Sequence, residues 1–200
     1  MKILCFSDLH CDKDAARRLV QLAGDVDVVI GAGDFANQHR GIADTIDILS
    51  SIEKPSVLVP GNGETLDELR AATANWASAT VLHGDGCQID GVDFWGVGGG
   101  IPVTPFGSWS YDFDENQATE MLAGCPMNAV LVVHSPPLGT VDHDSAGRVR
   151  GSQSILNSVH AKQPKLVVCG HIHGDWGKQV DVGPSRILNA GPRGIVMEVT

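Results

Sequence analysis

Short motifs of aspartate, asparagine, histidine and glycine recur at intervals along the chain, and each follows an apolar run. In chain order they are Asp8-x-His10, Gly33-Asp34, Gly61-Asn62, His134 and Gly170-His171-x-His173. Their side chains offer carboxylate and amide oxygen together with imidazole nitrogen, a donor set that suits borderline divalent metals better than calcium. Seven ligands exceed the need of one tetrahedral ion. The motifs therefore predict two ions, about 3.5 to 4 Å apart and bridged by one carboxylate, as in the metal clamps that hydrolyse phosphate esters.

The apolar runs that precede these motifs predict five buried strands. They cover residues 3–6, 26–30, 57–59, 129–133 and 166–169. Because the carboxyl ends of strands in an open α/β sheet meet at one rim, the motif residues are expected to converge there despite their separation in sequence. Four of the eight histidines belong to the motifs. The others, His39, His83, His143 and His160, have no such setting and are expected to be packing or surface residues.

Helical spacing separates the strands in the first half of the chain. Helices are predicted from Asp12 to Gly24, through Ile42 and Leu49 to about Lys54, from Leu66 to Trp76, near 114–123 and near 153–161. Short β-like runs between 81 and 97 predict hairpins, and residues 98–113 predict a long ordered loop that overhangs a site. This order predicts an α/β protein with two packed mixed sheets and flanking helices.

Composition limits the classes of protein and of partner. The chain has 200 residues, of which 42% are hydrophobic and 19% are charged, and these values fit one folded domain over residues 1–200. The formal charge is −10, and the absence of a basic run argues against duplex nucleic acid as a partner. A small phosphorylated substrate stays compatible with this charge, because bound cations make a pocket locally positive. No protein partner is indicated.

The amino terminus and the cysteines point to a reducing compartment. No apolar run is long enough for a signal peptide or a membrane span, so we expect a cytoplasmic protein that does not bind membranes. The five cysteines, at positions 5, 11, 87, 125 and 169, include no C-x-x-C pair. Reduced and mostly buried thiols are therefore expected, without a disulfide framework or a structural zinc site.

The ordered motifs resemble the calcineurin-like metallophosphoesterase superfamily over positions 8 to 173. Gly98-Gly99-Gly100-Ile101 followed by Thr104-Pro105-Phe106 further resembles the Icc-related predicted phosphoesterases of prokaryotes. The resemblance implies a four-layer α/β/β/α sandwich and a metal-dependent phosphoric ester hydrolase, with phosphodiesters as the expected substrates. It also implies two divalent ions, first of all manganese, with iron, zinc and nickel as alternatives.

The same resemblance assigns a role to each motif residue. One ion would lie between Asp8, His10, Asp34 and His173, and the other between Asp34, Asn62, His134 and His171, so that Asp34 is the bridge. A hydroxide held between the ions would attack phosphorus in line while the ions stabilise the charge on the phosphoryl oxygens. Asn62 would also contact the substrate phosphate.

One position departs from the pattern of the superfamily. Most members carry a histidine after the Gly-Asn pair that assists the leaving group, whereas this chain reads Gly61-Asn62-Gly63-Glu64. Glycine supplies no proton, and general acid catalysis is worth about 100-fold or more. Glu64 is the first candidate to replace the acid, although its position also suits a helix start. A substrate with a good leaving group, or a pocket opened for a bulky diester, would equally account for the glycine.

Three other functions compete with the hydrolase. Gly31 to Ala36 with Glu53 matches a dinucleotide-binding fingerprint, but Asp34 would place a negative charge in the pyrophosphate cradle. The glycines at 96–100 lack the Gly-Lys-Ser/Thr of a phosphate loop. The third alternative is a metal-binding or protein-interaction scaffold on the same fold with little turnover. The complete set of motif ligands favours the enzyme, and the substrate and the oligomeric state stay open.

Overall fold

Two β-sheets lie face to face in the centre of the molecule, and helices cover both outer faces. This computed structural model describes residues 1–199, so Thr200 lies outside the described residues. The predicted four-layer α/β/β/α sandwich of two mixed sheets is confirmed.

The first sheet contains five strands and carries three helices on its outer face. Its elements in chain order are β1 (Lys2–Phe6), α1 (Lys13–Leu22), β2 (Val28–Ala32), α2 (Ile42–Leu49), β3 (Ser56–Val59), α3 (Leu66–Ala72), β4 (Ala79–Val81) and the last strand, β11 (Ile195–Glu198). The strand order is β11-β1-β2-β3-β4. Strands β1 to β4 are parallel, and β11 joins β1 antiparallel at the edge. The β-α-β-α-β order predicted for the first half is confirmed.

The second sheet contains six strands and carries two helices. Its elements are β5 (Asp85–Ile89), β6 (Val92–Val97), α4 (Glu115–Leu122), β7 (Val130–Val133), α5 (Gln153–Lys162), β8 (Leu166–Cys169), β9 (Gln179–Val182) and β10 (Ser185–Asn189). The order is β5-β6-β7-β8-β10-β9. Its four central strands are parallel, and both edge strands are antiparallel. Of the hairpins predicted between 81 and 97, the structure contains one, formed by β5 and β6, whereas the run at 81–82 falls at the end of β4, which pairs parallel with β3 in the first sheet.

The strands that precede the motifs are buried on both faces, which explains their continuous apolar runs; they are β1, β2, β3, β7 and β8. Along β1, Ile3 and Cys5 belong to the core between the two sheets. Leu4 and Phe6 belong to the core between the first sheet and its helices. A third core lies between the second sheet and α4 and α5. With side chains packed on both sides, the carboxyl ends of the parallel strands are held at fixed positions.

Three elements differ most from their predicted boundaries. Strand β2 begins at Val28 and runs through Gly31 and Ala32, whose small side chains gave no strand signal. Helix α2 ends at Leu49, where the hydroxyl groups of Ser50 and Ser51 donate to carbonyl groups of the last turn. Helix α3 ends at Ala72, so Trp76 lies beyond it.

Trp76 is nevertheless buried against the same core that the helical spacing predicted for it. Its indole N–H donates to the carbonyl oxygen of Ile52 at 2.9 Å. The predicted burial of Trp76 is confirmed, whereas the predicted helix is wrong after Ala72. Contacts made by a turn can bury a side chain at the same position as one more turn of helix would.

All five cysteines are free thiols, with Cys5, Cys125 and Cys169 buried, as predicted. Within residues 1–199, the helices are too short or too polar for any of them to cross a bilayer.

Candidate metal centre

The seven predicted ligand side chains lie at one end of the two sheets. Asp8 and His10 follow β1, Asp34 follows β2 and Asn62 follows β3, while His134 follows β7 and the histidine pair at 171 and 173 follows β8. Because these five strands end at the same edge of the sandwich, sequence separations of up to 163 residues are closed to hydrogen-bond distances. We call these seven side chains the floor of the site.

One half of the floor contains Asp8, His10 and His173. The Nε2 atoms of the two histidines lie 3.2 Å apart. Nε2 of His173 is also 3.6 Å from Oδ1 of Asp8. Each of the three residues offers one donor atom, and these three atoms lie within 4.8 Å of one another. This spacing fits a shared cation.

The other half contains Asn62, His134 and His171. Oδ1 of Asn62 lies 3.2 Å from Nε2 of His134 and 3.0 Å from Nδ1 of His171. The Nδ1 atom of His134 is 2.8 Å from the carbonyl oxygen of Ala32 and can donate its proton there. That hydrogen bond leaves the lone pair of Nε2 directed at the site, as metal-binding histidines require.

Asp34 lies between the two halves. Its Oδ2 is 3.5 Å from Nε2 of His10, and its Oδ1 is 3.6 Å from Nε2 of His134. Different oxygens of one carboxylate thus face different histidines, which is the arrangement expected of a bridge. An oxygen of Asp8 also lies within 4.8 Å of donor atoms of both Asp34 and His134. The two carboxylates are therefore close neighbours at the centre of the floor.

The glycines of the motifs are required by close packing. A Cβ atom at Gly61 would lie 2.1 Å from Oδ1 of Asp34, and one at Gly170 would lie 2.4 Å from Oδ2 of Asp8. A Cβ at Gly33 would lie 2.5 Å from Nδ1 of His134, and the backbone there has a positive φ of 88°. The Gly-Asp, Gly-Asn and Gly-His pairs thus combine a ligand with the glycine that lets another part of the floor approach it.

Four floor residues have backbone in the left-handed region. Asp8, His10, Asp34 and His171 have φ values of 55°, 45°, 58° and 66°. Such conformations cost non-glycine residues about 1 kcal/mol or more each and persist where the surrounding structure enforces them. Their concentration at one rim is typical of a functional site.

Glu64 holds two of the motif loops together from below. Its side chain is fully buried, and its carboxylate accepts N–H groups of Asp34, Ala36 and Gly61 at 2.7 to 2.9 Å. The residue lies just before the N-cap Thr65 of α3. All of these bonds go to backbone, and Glu64 is not among the residues that line the cavity above the floor. This geometry favours a structural role over the replacement of the missing acid.

Burial of like charges makes the floor unfavourable without a cation. Burial, followed by the nearby charge of Asp8, raises the pKa of Asp34 to about 7. Burial, followed by Asp34, likewise raises the pKa of Glu64 to about 7. Burial also acts against ionisation of Asp8, but the hydrogen bond with His173 and the charge of His134 outweigh it and hold its pKa well below the usual range. Buried charges of this kind are normally paired or bound to metals.

The pKa values of two floor histidines are shifted in opposite directions. Burial, followed by the charge of His134, lowers the pKa of His171 to about 3, so its imidazole is neutral at pH 7. Burial alone would lower the pKa of His173. The hydrogen bond with Asp8 and the charges of Asp8 and Asp34 together outweigh burial, so this pKa is raised. The donor set, its spacing and its charge all fit divalent cations.

Several residues that support the floor were not found from the sequence. Trp176 donates its indole N–H to Oδ2 of Asp8 at 3.2 Å, and its ring centroid is 4.2 Å from that of His173. Ser7 also donates to Oδ2 of Asp8. Ser110 accepts from Nδ2 of Asn62 at 3.0 Å, which turns the amide oxygen toward the histidines. A serine or tryptophan near a motif carries no signal that distinguishes this role from ordinary packing.

A cavity of about 820 Å³ opens above the floor. Two loop segments form its sides. The first, which we call the aromatic segment (residues 102–109), contributes Phe106 and Trp109, whose rings stack at 5.6 Å. The second, which we call the basic hairpin (residues 143–150), contributes Arg148 and Arg150. The loop at 98–113 thus lies beside the site, as the sequence predicted.

The remaining histidines lie outside the floor, as expected. His39 contacts Glu68 and the carbonyl oxygen of Trp109. His83 accepts an N–H from Gly98 and packs on Tyr111. His143 contacts Asp175, and His160 lies in α5. In the residues that the structure describes, none of the four lies among those that line the cavity.

Comparisons with known proteins agree with this geometry. The chain is 29% identical over 215 residues to UPF0046 protein K07C11.7 of Caenorhabditis elegans, covering 95% of this chain and 69% of that protein. The crystal structure of TT1561 of Thermus thermophilus shares the fold, with a TM-score of 0.77, 21% identity and coverage of 96% and 90% of the two chains. A dimetal phosphatase from Danio rerio gives a TM-score of 0.64 at 12% identity, covering 96% and 88%.

The family model for calcineurin-like phosphoesterases matches residues 1–175. This range contains the whole floor, so the match covers the residues whose geometry fits divalent metal ions. The chain belongs to the calcineurin-like phosphoesterase family of metal-dependent hydrolases of phosphate esters.

Proposed function

We propose that the protein is a phosphodiesterase with two divalent metal ions, manganese being the first candidate, and that it acts on a small phosphorylated molecule. The observation that supports it most is the position of Asp34, with one oxygen toward His10 and the other toward His134. The proposed ligands are the seven side chains of the floor. Bound there, two cations would activate water and neutralise charge on a phosphoryl group.

Neighbouring residues of the chain hold the floor side chains in position. Glu64 fixes the loops that carry Asp34 and Asn62, and Trp176 with Ser7 fixes Asp8. Ser110 orients the amide of Asn62, whose Nδ2 is the group on that side chain suited to a phosphoryl oxygen. These contacts hold the reacting groups before substrate arrives, which is the form of positioning from which catalysis gains most.

Preference for diesters is supported by the room above the floor. The cavity is large enough for a phosphoryl group with two substituents, because ligand sites commonly have volumes of about 300–1,000 Å³. Gly63 lines it and adds no side chain. The stacked rings of Phe106 and Trp109 give a planar apolar surface for an ester substituent.

The missing acid supports a substrate with a good leaving group. Gly63 cannot donate a proton from a side chain, and the carboxylate of Glu64 is occupied by three backbone N–H groups. An ester oxygen of low basicity leaves without protonation, so we expect aryl esters and similarly activated esters to be hydrolysed faster than alkyl esters.

Metal content and hydrolysis test this proposal in one sample. We expect protein purified without chelator and supplied with Mn²⁺ to hold about two ions per chain and to hydrolyse bis-p-nitrophenyl phosphate faster than p-nitrophenyl phosphate. Faster hydrolysis of the monoester would contradict the diester preference. Two ions without turnover on either ester would favour the scaffold, and no metal after reconstitution would contradict the whole assignment.

A further inference from the structure

The basic hairpin places two arginines in the cavity of an acidic protein. Among the described residues that line the cavity, Arg148 and Arg150 are the only arginine or lysine side chains. The chain as a whole has a formal charge of −10. Two positive charges beside the candidate metal centre therefore stand out against the overall charge of the protein.

Asp144 holds both arginines through one carboxylate oxygen. Its Oδ2 accepts from Nε of Arg148 at 2.9 Å and from Nε of Arg150 at 3.1 Å. Each contact uses only the inner nitrogen, so the terminal nitrogens of both guanidinium groups are left as donors. Two positive charges against one carboxylate leave a net positive charge on the hairpin.

The turn itself does not need the second arginine. Oδ1 of Asp144 accepts the N–H groups of Ala146 and Arg148, and Gly147 at a positive φ of 74° closes the turn. His143 and Val149 form an antiparallel bridge below it. Ion pairs between exposed side chains add little stability, so stability alone leaves the paired arginines unexplained.

We propose that Arg148 and Arg150 bind a second anionic group of the substrate, so that the preferred phosphodiester carries a carboxylate or phosphate on one of its two substituents. Guanidinium groups bind these anions through paired N–H groups. Asp144 orients the arginines and limits the conformational freedom that binding would otherwise remove. This inference rests on the proposed function, because the phosphodiester bound above the floor and the second anion bound by the arginines belong to one substrate molecule.

A pair of esters with the same leaving group tests the inference. They are butyl p-nitrophenyl phosphate and 3-carboxypropyl p-nitrophenyl phosphate, which differ in the anion at the end of the alkyl chain. For the Mn²⁺-loaded protein, we expect kcat/KM to be about tenfold higher for the carboxylate ester. The ratio should fall as salt is added, because the arginines are exposed.

Variants of the hairpin separate charge from structure. The double variant Arg148→Gln/Arg150→Gln should bring the ratio of kcat/KM between the two esters close to one, whereas Arg148→Lys/Arg150→Lys should retain part of the preference because the charge remains. The matched control is Arg17→Gln, an exposed arginine of α1 that also pairs with an aspartate. The control should retain both the activity and the ratio.

A binding measurement keeps the test independent of turnover. By calorimetry on the Mn²⁺-loaded protein, 4-phosphonobutyrate should bind about tenfold more tightly than butylphosphonate, and the double glutamine variant should lose the difference. Equal affinities in the wild type, or a difference that survives in that variant, would overturn the inference. Failure to hydrolyse either ester while the affinity difference persists would contradict the proposed function and leave the anion site supported.

Discussion

The floor and the sides of the cavity are built in different ways. The floor residues are mostly buried, and their positions are enforced by glycines that tolerate no Cβ and by left-handed backbone at four ligands. The sides are exposed loops, where Phe106 and Val149 are each 50% exposed. The rigid part carries the groups that suit the chemistry, and the exposed part carries the groups that suit recognition. Substitutions in the floor should therefore affect turnover, and substitutions in the sides should affect the choice of substrate.

The largest effect is expected from Asp34→Asn. Asparagine retains an oxygen for the N–H of Gly63 but lacks the charge that both halves of the floor share. Both ions should be lost, and kcat/KM on bis-p-nitrophenyl phosphate should fall on the order of 1,000-fold, because metal catalysis supplies several kcal/mol. Metal analysis of the purified variant and its kinetics measure the two quantities.

Asn62→Ala is the matched control within the floor. It removes a neutral ligand from one half only, so about one ion per chain should remain. Retention of two ions and full activity by Asp34→Asn would show that Asp34 is not the bridge.

The next largest effect is expected from Gly63→His, which restores the acid found in most of the family. We expect turnover of alkyl phosphodiesters to rise by up to about 100-fold while aryl esters change little, because only poor leaving groups need the proton. A Cβ at this position would lie 3.1 Å from Oδ1 of Asp34 and 3.2 Å from the carbonyl oxygen of Ala36, so small shifts are required. Gly63→Ala introduces the same Cβ without the imidazole. An equal gain in both variants would refute the role of the missing acid.

A smaller effect is expected in the aromatic segment. Phe106→Ala removes one ring of the stacked pair, and aromatic contacts are worth about 0.5–1.5 kcal/mol, so KM for bis-p-nitrophenyl phosphate should rise by about 2- to 10-fold with little change in kcat. Met127→Ala, which removes a similarly exposed apolar side chain away from the cavity, should leave KM as it is. A fall in kcat at constant KM would show that Phe106 acts on turnover rather than on binding.

The smallest effect concerns the contact between the aromatic segment and α3. The hydrogen bond that His39 donates to the carboxylate of Glu68 raises the pKa of His39, whose other ring nitrogen contacts the carbonyl oxygen of Trp109. Both contacts need the protonated ring, so this link is complete at low pH and weakens as the pH rises through the pKa of His39 in the folded protein.

Glu68→Gln should lower the pKa of His39 toward its ordinary value. A pH titration of the His39 ring by NMR measures the change, with Glu120→Gln, an exposed glutamate of α4, as the control. An unchanged pKa in Glu68→Gln would show that another group sets it.

The floor could be predicted from the sequence, whereas the sides of the cavity could not. Each floor ligand follows an apolar strand, and all of them except His134 have a glycine or a second ligand within two residues, so motif and strand together predict their place at the rim. Strand positions are also clear from continuous apolar runs, whereas the ends of α2 and α3 depend on serine and threonine side chains that donate to the last carbonyl groups.

The sides of the cavity had no comparable signal. Asp112 accepts from Thr104 and Ser110 and so shapes the aromatic segment, and Asp144 shapes the basic hairpin. These are contacts inside non-periodic loops, where one aspartate among many decides the conformation. Glu64 shows the same limit, since its position before a helix suited either a catalytic acid or a structural residue and only the buried contacts with three N–H groups distinguish them.

Anomalous diffraction from a crystal of the Mn²⁺-loaded protein tests the central claim most directly. We predict two manganese peaks about 3.5 to 4 Å apart, one beside His10 and His173 and the other beside His134 and His171, with the carboxylate of Asp34 between them. A single peak, or two peaks without Asp34 between them, would contradict the assignment of Asp34 as the bridge of a two-metal centre.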